Sequence, residues 1–166
     1  MKPQLTKNDV KKIEAEIRDR TLVQAPKILE ELKEARAQGD LSENFEYYAA
    51  KRAKRQNDSR VRYLENMIKN AIIIDDSSTE GVVSLNNTVT FQYVDDDEEE
   101  TVKIVTSIRG NTASGRISNE SPIGKALLGH KVGDICEVEL PNGGKYEIKI
   151  TALDQTTGDD DSIRTY

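Results

Sequence analysis

Asp40 and Glu43, two carboxylates three residues apart, are the side chains of this sequence best suited to metal chemistry. They lie in the stretch GDLSENFEYYAAK, residues 39–51, which separates two long helical patterns. Carboxylate oxygens are ligands that Mg²⁺ accepts in proteins. Because a bend between two helices is a poor place to build a complete site, we expect these acids to enter another molecule's cavity and hold a metal ion there.

The same two acids also fit a structural role at the start of the second helix. Asp40 followed by Glu43 matches a capping box, in which Asp40 caps the helix and Glu43 reaches back to the Asp40 backbone N–H. Both negative charges also suit the positive end of a helix. The two interpretations are compatible, because a capping carboxylate keeps lone pairs that point outward, and both stay open here.

Helical periodicity on both sides of this stretch predicts an antiparallel helical hairpin. Thr6 and Asp9 form a variant capping box at the start of the first helix, Gly39 ends it, and Pro26 predicts a kink inside it. Apolar or small residues recur in coiled-coil steps of three and four at Val10, Ile13, Ile17, Thr21, Ala25, Ile28, Leu32 and Ala35. The second helix, from about Ser42 to Ala71, has its stripe at Tyr47, Ala50, Lys54, Asn57, Val61, Leu64, Ile68 and Ala71.

The periodicity changes from helical to alternating after residue 72. Strands are predicted at 88–94 and 101–107 around the acidic turn 95–100, with a closing hairpin of strands at 136–140 and 145–153 and a short helix at 122–128. The predicted fold class is therefore α+β. Its predicted parts are a helical hairpin at 1–74, a linker at 75–84, a small antiparallel sheet domain at 85–155 and a disordered acidic tail at 156–166.

The composition bounds the class of protein. Of the 166 residues, 36% are hydrophobic and 33% are charged, and the net charge is −6. Residues 1–71 are net basic whereas residues 72–166 are strongly acidic, which favours two domains with different partners. The single Cys136 excludes an internal disulfide and is expected to be a small core side chain. Without a signal-peptide pattern or an apolar run of roughly 18 residues, we expect a cytoplasmic protein that does not use a membrane.

A basic cluster follows the bend and consists of Lys51, Arg52, Lys54 and Arg55. Cations at these spacings wrap around a helix, so a solvated surface is one explanation and contact with nucleic-acid phosphates is the other. Tyr47 either stacks on a base or fills the helical seam. The acidic run 95–100 fits a solvated turn better than a calcium loop, which alternates its ligands with other residues. The sequence has no catalytic triad, phosphate-binding Gly loop or zinc spacing.

The stretch GDLSENFEYYAAK resembles the signature of the bacterial Gre transcript-cleavage factors, the GreA/GreB family, and the similarity covers nearly the whole chain. A second matching signature consists of residues 117–118 and 121–129 followed by Gly133-Asp134. The N-terminal pattern of the family fits Thr6, Lys12, Ile13, Glu16, Ile17 and Pro26. This sequence departs from the family at Phe45, where a small residue is usual, and at Asp9, where Gly is usual.

The resemblance implies a coiled-coil hairpin and an FKBP-like sheet domain. Such factors bind RNA polymerase through the sheet domain at the rim of the secondary channel, and the hairpin passes down the channel. Asp40 and Glu43, supported by Ser42, would then hold the second Mg²⁺ and orient the attacking water for two-metal hydrolysis of backtracked RNA. No cofactor is expected on the chain by itself, because the polymerase shares the Mg²⁺.

The resemblance also implies contact residues. Lys51, Arg52, Lys54, Arg55 and Tyr47 would hold the extruded RNA 3′ end. Ser121, Pro122 and Ile123 are expected to be exposed and are candidates for docking on polymerase. The expected function is that of a monomeric elongation factor that stimulates the nuclease activity of polymerase and is not itself an enzyme. Two alternatives are a non-cleaving regulator or inhibitor that occupies the channel, and an FKBP-like prolyl isomerase or chaperone. The prolyl isomerase or chaperone alternative is less favoured, because a sequence with no Trp and two Phe has few aromatic side chains to line a proline-binding pocket.

Overall fold

The structure, a computed structural model, describes residues 1–39, 44–159 and 161–165. The predictions made for Asp40, Ser42 and Glu43 therefore lie outside the described residues. The chain divides into a helical unit, Met1–Pro3 with Val10–Ala71, and a sheet unit, Gln4–Asp9 with Ile72–Tyr166. Among the described residues, no helix has the length and apolar character needed to cross a membrane.

The predicted helical hairpin is confirmed. Its helices are α1 (Lys7–Asp19), α2 (Ala25–Arg36) and α3 (Phe45–Asn70). The predicted capping box at the start of α1 is confirmed as well, because the Asp9 carboxylate accepts from the Thr6 backbone N–H at 2.9 Å and the Thr6 hydroxyl accepts from the Asp9 N–H at 3.1 Å.

A π-helical turn at Arg20–Gln24 separates α1 from α2. A π turn contains more residues than an α turn, so the extra residue accommodates the two successive four-residue spacings of the predicted seam, from Ile17 to Thr21 and from Thr21 to Ala25. As a result Thr21, predicted to lie in the seam, is exposed, while Gln24 and Ala25 are half-buried. Pro26 follows in the first turn of α2, where its missing N–H costs little, so the helix is irregular just before the proline.

The buried face of α3 mixes apolar and polar side chains, namely Ala50, Asn57, Arg60 and Leu64. The prediction that Lys54 lies in the seam is wrong. Its side chain is exposed and pairs with Asp58 on the same helix at 2.8 Å, because a lysine ammonium is stabilised by staying in water.

The sheet unit contains a five-stranded sheet and a two-stranded pair. The short strands β1 (Gln4–Leu5) and β2 (Ile72–Ile73) pair in parallel. The main sheet has the order β5-β4-β3-β7-β6, built from β3 (Thr88–Tyr93), β4 (Glu99–Val105), β5 (Arg116–Ser118), β6 (Ile135–Glu139) and β7 (Lys145–Asp154). Its pairs are antiparallel, except that β5 runs parallel to β4.

Alternating apolar residues of these strands form the core together with helix α4 (Pro122–Leu127). Phe91, Ile104, Leu127, Ile148 and Ile150 are completely buried. Cys136 is buried among them, as predicted, and burial raises the pKa of its thiol, with Asp134 adding to the effect. Strands β3, β6 and β7 follow the period-two pattern that the sequence predicts, whereas β4 begins at Glu99, inside the predicted acidic turn, and β5 was not predicted.

Candidate functional site

Asn44 connects the two helix ends that flank residues 40–43. Its side-chain carbonyl accepts from the Tyr47 backbone N–H at 3.0 Å, which makes Asn44 the N-cap of α3. Its side-chain amide donates to the Ala35 carbonyl near the end of α2 at 2.7 Å. The second helix therefore begins three residues later than predicted and is capped by Asn44, whereas the predicted cap, Asp40, lies outside the described residues. Sequence reasoning missed this residue, although Asn is a favoured N-cap type.

Tyr47 lies beside this bridge and is half-buried. Its ring faces the guanidinium of Arg36 at 5.7 Å and the ammonium of Lys51 at 5.8 Å from the ring centroid. Tyr48 packs against it edge to face at 5.6 Å and is about half exposed. Tyr47 thus contributes to holding α2 and α3 together, and Tyr48 presents the more open aromatic surface.

The basic cluster lies on the solvent-exposed surface of α3. Lys51, Arg52, Lys54 and Arg55 are all exposed, and Lys54 is the member that pairs with Asp58. Phe45, at the first position of α3, is also exposed, at 86%. The first three turns of α3 therefore present cations and an exposed aromatic ring on one short segment.

A polar network crosses the seam of the helical unit next to the π turn. The Arg20 guanidinium donates to the Asn57 side-chain carbonyl at 3.1 Å, and the Asn57 amide donates to the Arg20 carbonyl at 3.0 Å. Arg20 also pairs with Glu16 at 2.8 Å, one turn earlier. Burial acts to raise the pKa of Glu16, but hydrogen bonds from Arg60 and Arg20, together with their charges, outweigh it and lower the pKa.

The candidate docking residues lie at the start of α4 in the sheet unit. The Ser121 hydroxyl accepts from the Gly124 N–H at 3.1 Å and donates to the Ser118 carbonyl at 2.6 Å, so it caps the helix. Ile123 packs against the core. All three candidates, Ser121, Pro122 and Ile123, are half-buried rather than exposed. A side chain at Gly124 would place its Cβ 2.2 Å from the Ser118 carbonyl oxygen, so the glycine permits this close packing.

A buried ion pair joins Asp9, in the first turn of α1, to Arg109, which follows β4 in the sheet unit. The Asp9 carboxylate, completely buried, accepts from the Arg109 guanidinium and from the Thr106 hydroxyl, the latter at 2.7 Å. Arg109 itself is 1% exposed. The sequence marks Asp9 only as a capping residue, because its partner lies a hundred residues away.

The part of the chain that the structure places contains no group of three or more His, Cys, Asp or Glu side chains able to hold a metal ion. The predicted pair of Asp40 and Glu43 lies outside that part. Its donor set fits Mg²⁺ in type, since Mg²⁺ prefers carboxylate oxygens, but two carboxylates leave most of an octahedral shell to other ligands.

Two family profiles match consecutive parts of the chain. The profile "Transcription elongation factor, N-terminal" matches residues 3–73, and "Transcription elongation factor, GreA/GreB, C-term" matches residues 78–155. The transcription elongation factor GreA of Staphylococcus carnosus (strain TM300) is 43% identical over 149 residues, which cover 90% of this chain and 93% of that protein. GreA of Macrococcus caseolyticus (strain JCSC5402) is also 43% identical, over 90% of this chain and 94% of its own length.

The helical hairpin followed by the sheet unit, together with these matches, defines a factor of transcription elongation. The chain belongs to the GreA/GreB family of transcription elongation factors. Among solved structures it is similar to the GreA factor homolog 1 (Gfh1) protein of Thermus thermophilus, with 28% identity and a TM-score of 0.44 over 92% of this chain and 99% of that one.

Proposed function

We propose that this chain stimulates the RNA-cleaving activity of RNA polymerase by supplying Asp40 and Glu43 to the polymerase active site. In this proposal the chain is not an enzyme by itself, and its partner is bacterial RNA polymerase with a backtracked RNA 3′ end. The helical unit enters the secondary channel, and the sheet unit docks at the channel rim. The factor acts as a monomer in the cytoplasm, where transcription takes place.

The observation that carries this proposal is the Asn44 bridge. Because Asn44 caps α3 and also binds Ala35 on α2, the two helix ends on either side of residues 40–43 are joined to each other. The Tyr47 N–H is satisfied by Asn44, so capping this donor does not require either acid. A fixed anchor matters because catalytic groups lose rate steeply when they are misplaced by about 1 Å.

The chemistry follows from the residue types. Mg²⁺, when bound, would activate a water molecule and stabilise the charge that develops on the phosphate. Asp40 and Glu43 would hold the metal from the factor's side, and the polymerase would supply the remaining ligands. Ser42 would support the segment between them. The chain's own contribution is thus to position two anionic oxygens and a water molecule.

Exposed cations suit the RNA side of this proposal. Lys51, Arg52 and Arg55 lie on the first turns of α3, on the same segment as the capped helix start. Cations near single-stranded RNA bind its phosphates without sequence preference. Tyr47 contacts Arg36 and Lys51, so we propose that it orients the cluster, whereas stacking on a base suits the more exposed Tyr48.

A cleavage assay tests the proposal directly. Stalled, backtracked elongation complexes with labelled RNA are mixed with the wild-type chain or with the double variant Asp40→Asn, Glu43→Gln. The wild type should shorten the RNA, whereas the variant should bind the complex and leave the RNA intact, because amides are poor ligands for Mg²⁺. The matched control is Asp95→Asn, Asp96→Asn, which removes the same charge from the exposed turn of the sheet unit.

Each outcome has a distinct meaning. If the double variant shortens RNA at the wild-type rate, the proposed role of Asp40 and Glu43 as ligands is wrong. If the wild type binds without shortening the RNA, the chain is a non-cleaving channel binder. Circular dichroism of the double variant separates a folding defect from a chemical one, since a folding defect would lower the midpoint of thermal unfolding.

A further inference from the structure

The acidic C-terminal segment of the sheet unit contacts strands β4 and β5, although the sequence predicts a disordered tail at 156–166. The Asp161 carboxylate accepts from the Lys103 ammonium at 2.5 Å and from the Arg116 guanidinium at 3.3 Å. All three side chains are less than one-fifth exposed. Burial acts to raise the pKa of Asp161, but the hydrogen bond from Lys103 and the charges of Lys103, Arg116 and Arg109 lower it.

The same cations also bind the main chain of the tail. Lys103 donates to the Gly158 carbonyl, and Arg109 donates to the Asp159 carbonyl. Further along, the Arg164 backbone N–H donates to the Ile108 carbonyl at 2.7 Å. The surface formed by Lys103, Ile108, Arg109 and Arg116, which we call the tail groove, thus binds both carboxylates and peptide groups.

The tail groove continues towards a candidate docking residue. A cleft of about 700 Å³ is lined by Ser107, Arg116, Ser118 and Ser121 together with the tail residues 162–165. Strand β5, which carries Arg116 and Ser118, is the outer strand of the sheet next to β4. The family profile ends at residue 155, so the segment that fills the groove lies beyond the matched part.

We propose that the tail groove is a binding site for an acidic, extended protein segment, and that the tail occupies it as a displaceable intramolecular ligand. Two cations facing one carboxylate provide the charge recognition, and the contacts to Gly158, Asp159 and Arg164 main-chain atoms provide peptide recognition. A nucleic acid offers phosphates but no peptide groups, so the observed contacts favour a protein partner.

Tethering sets how strongly the tail competes. A short linker gives an effective concentration in the mM range. A segment that binds with a Kd on the order of 100 µM would then weaken the apparent affinity of a competing segment about tenfold. Such a tail covers the groove when the factor has no partner bound, and it is displaced by a partner that makes additional contacts elsewhere on the factor.

A peptide of residues 156–166 in trans tests the groove without polymerase. The labelled peptide should bind a chain truncated after Gln155 at least about tenfold more tightly than it binds the full chain. Binding should be lost in the truncated chain with Lys103→Ala and Arg116→Ala, and kept with Lys131→Ala and Lys149→Ala, two exposed lysines elsewhere in the sheet unit. A labelled single-stranded RNA would overturn the assignment to a protein partner if it bound the truncated chain more tightly than the peptide does and lost this binding with Lys103→Ala and Arg116→Ala but not with Lys51→Ala, Arg52→Ala and Arg55→Ala.

A second measurement asks whether the tail is displaceable, and it rests on the proposed function because its probe is RNA polymerase. The truncated chain should bind polymerase several-fold more tightly than the full chain at low salt, and the full chain with Asp159→Asn and Asp161→Asn should behave similarly. The variant with Asp95→Asn and Asp96→Asn, which removes two charges elsewhere, should bind like the wild type.

The outcomes separate the two proposals. If the truncated chain is folded, as judged by its thermal unfolding, and binds polymerase no better than the full chain, the tail is a fixed cover of the outer strand and the inference is wrong. If neither chain stimulates RNA cleavage although the peptide binds the groove, the proposed function is wrong, but the assignment of the groove as a binding site still holds. If the peptide fails to bind the folded truncated chain, the groove is not a binding site.

Discussion

Arg60 of α3 donates two hydrogen bonds to the carboxylate of Glu16 in α1, from Nε to Oε1 at 2.9 Å and from Nη2 to Oε2 at 3.2 Å. The Arg60 side chain is 3% exposed and that of Glu16 is 22% exposed. This two-point geometry is specific to arginine and carboxylate. Arg20, at the start of the π turn and four residues after Glu16, pairs with Asn57, which lies three residues before Arg60 in α3. The contacts therefore fix an antiparallel alignment of the two helices.

The first prediction concerns this ion pair. Replacing Glu16 by Ala leaves the buried Arg60 guanidinium without its carboxylate, and we expect the free energy of unfolding to fall by about 2–3 kcal/mol. Replacing both residues by Met should restore most of that loss, because an apolar pair of similar volume avoids the cost of buried charge. Urea denaturation followed by circular dichroism at the helical band measures both effects. A double variant as unstable as Glu16→Ala would contradict the prediction.

The second prediction is the pH dependence of the same contact. The pKa of Glu16 in the folded chain lies below its ordinary value of 4.5, so the unfolded chain takes up this proton first as the pH falls. The stabilisation is therefore complete above about pH 4.5 and is lost on acidification through the folded pKa. The difference in unfolding free energy between the wild type and Glu16→Gln should be larger at about pH 7 than at about pH 3. An unchanged difference would show that the ion pair does not stabilise the fold.

The third prediction concerns the bridge made by Asn44. Asn44→Ala removes the cap of α3 and the contact with Ala35, and should lower the free energy of unfolding by about 1–2 kcal/mol. Asn44→Ser keeps a capping oxygen but cannot reach Ala35 with an amide donor. We expect this control to retain most of the stability and yet stimulate RNA cleavage less than the wild type. Equal cleavage by Asn44→Ser and the wild type would show that the contact with Ala35 does not position the acids.

The fourth prediction concerns the buried pair of Asp9 and Arg109. Asp9→Gly leaves a charged guanidinium buried without its carboxylate, which costs about 3–5 kcal/mol when the pair is fully desolvated. The effect should appear as a lower midpoint of thermal unfolding and faster proteolysis of the sheet unit. Asp134→Gly, which removes an exposed acid of the same unit, is the comparison. A loss no greater than that of the comparison variant would contradict a stabilising role for Asp9.

The fifth prediction concerns the basic cluster. Replacing Lys51, Arg52 and Arg55 by Ala should weaken RNA cleavage and make it less dependent on salt. The reason is that each lost phosphate contact reduces the slope of log K for binding single-stranded RNA against log salt concentration by about 0.7. The control removes three exposed cations elsewhere on the helical unit, Lys11, Lys27 and Lys69. Cleavage is measured between about 50 and 200 mM salt. Equal slopes for the two triple variants would assign the cluster to a solvated surface.

The sequence by itself determined the class of fold and the family. Steps of three and four residues predict the two helices, and alternation predicts the strands, because both patterns follow from the geometry of a single element and its buried face. The capping box of Thr6 and Asp9 was equally accessible, since its partners are three residues apart. The family followed from two motifs in order, and the profiles match both halves of the chain.

Only the tertiary structure decided which polar side chains are buried and what they contact. Arg60 and Glu16 are 44 residues apart in sequence, and Arg109 and Asp9 are 100 apart, so no local pattern relates them. The π turn moves Thr21 out of the seam, which a uniform helical period cannot anticipate. The tail is predicted to be disordered from its composition because its acids have no partners nearby in the sequence, whereas Asp161 pairs with Lys103 and Arg116 once strands β4 and β5 lie side by side. Local periodicity encodes the helices and strands, whereas long-range charge pairing depends on which distant segments of the chain the fold brings into contact.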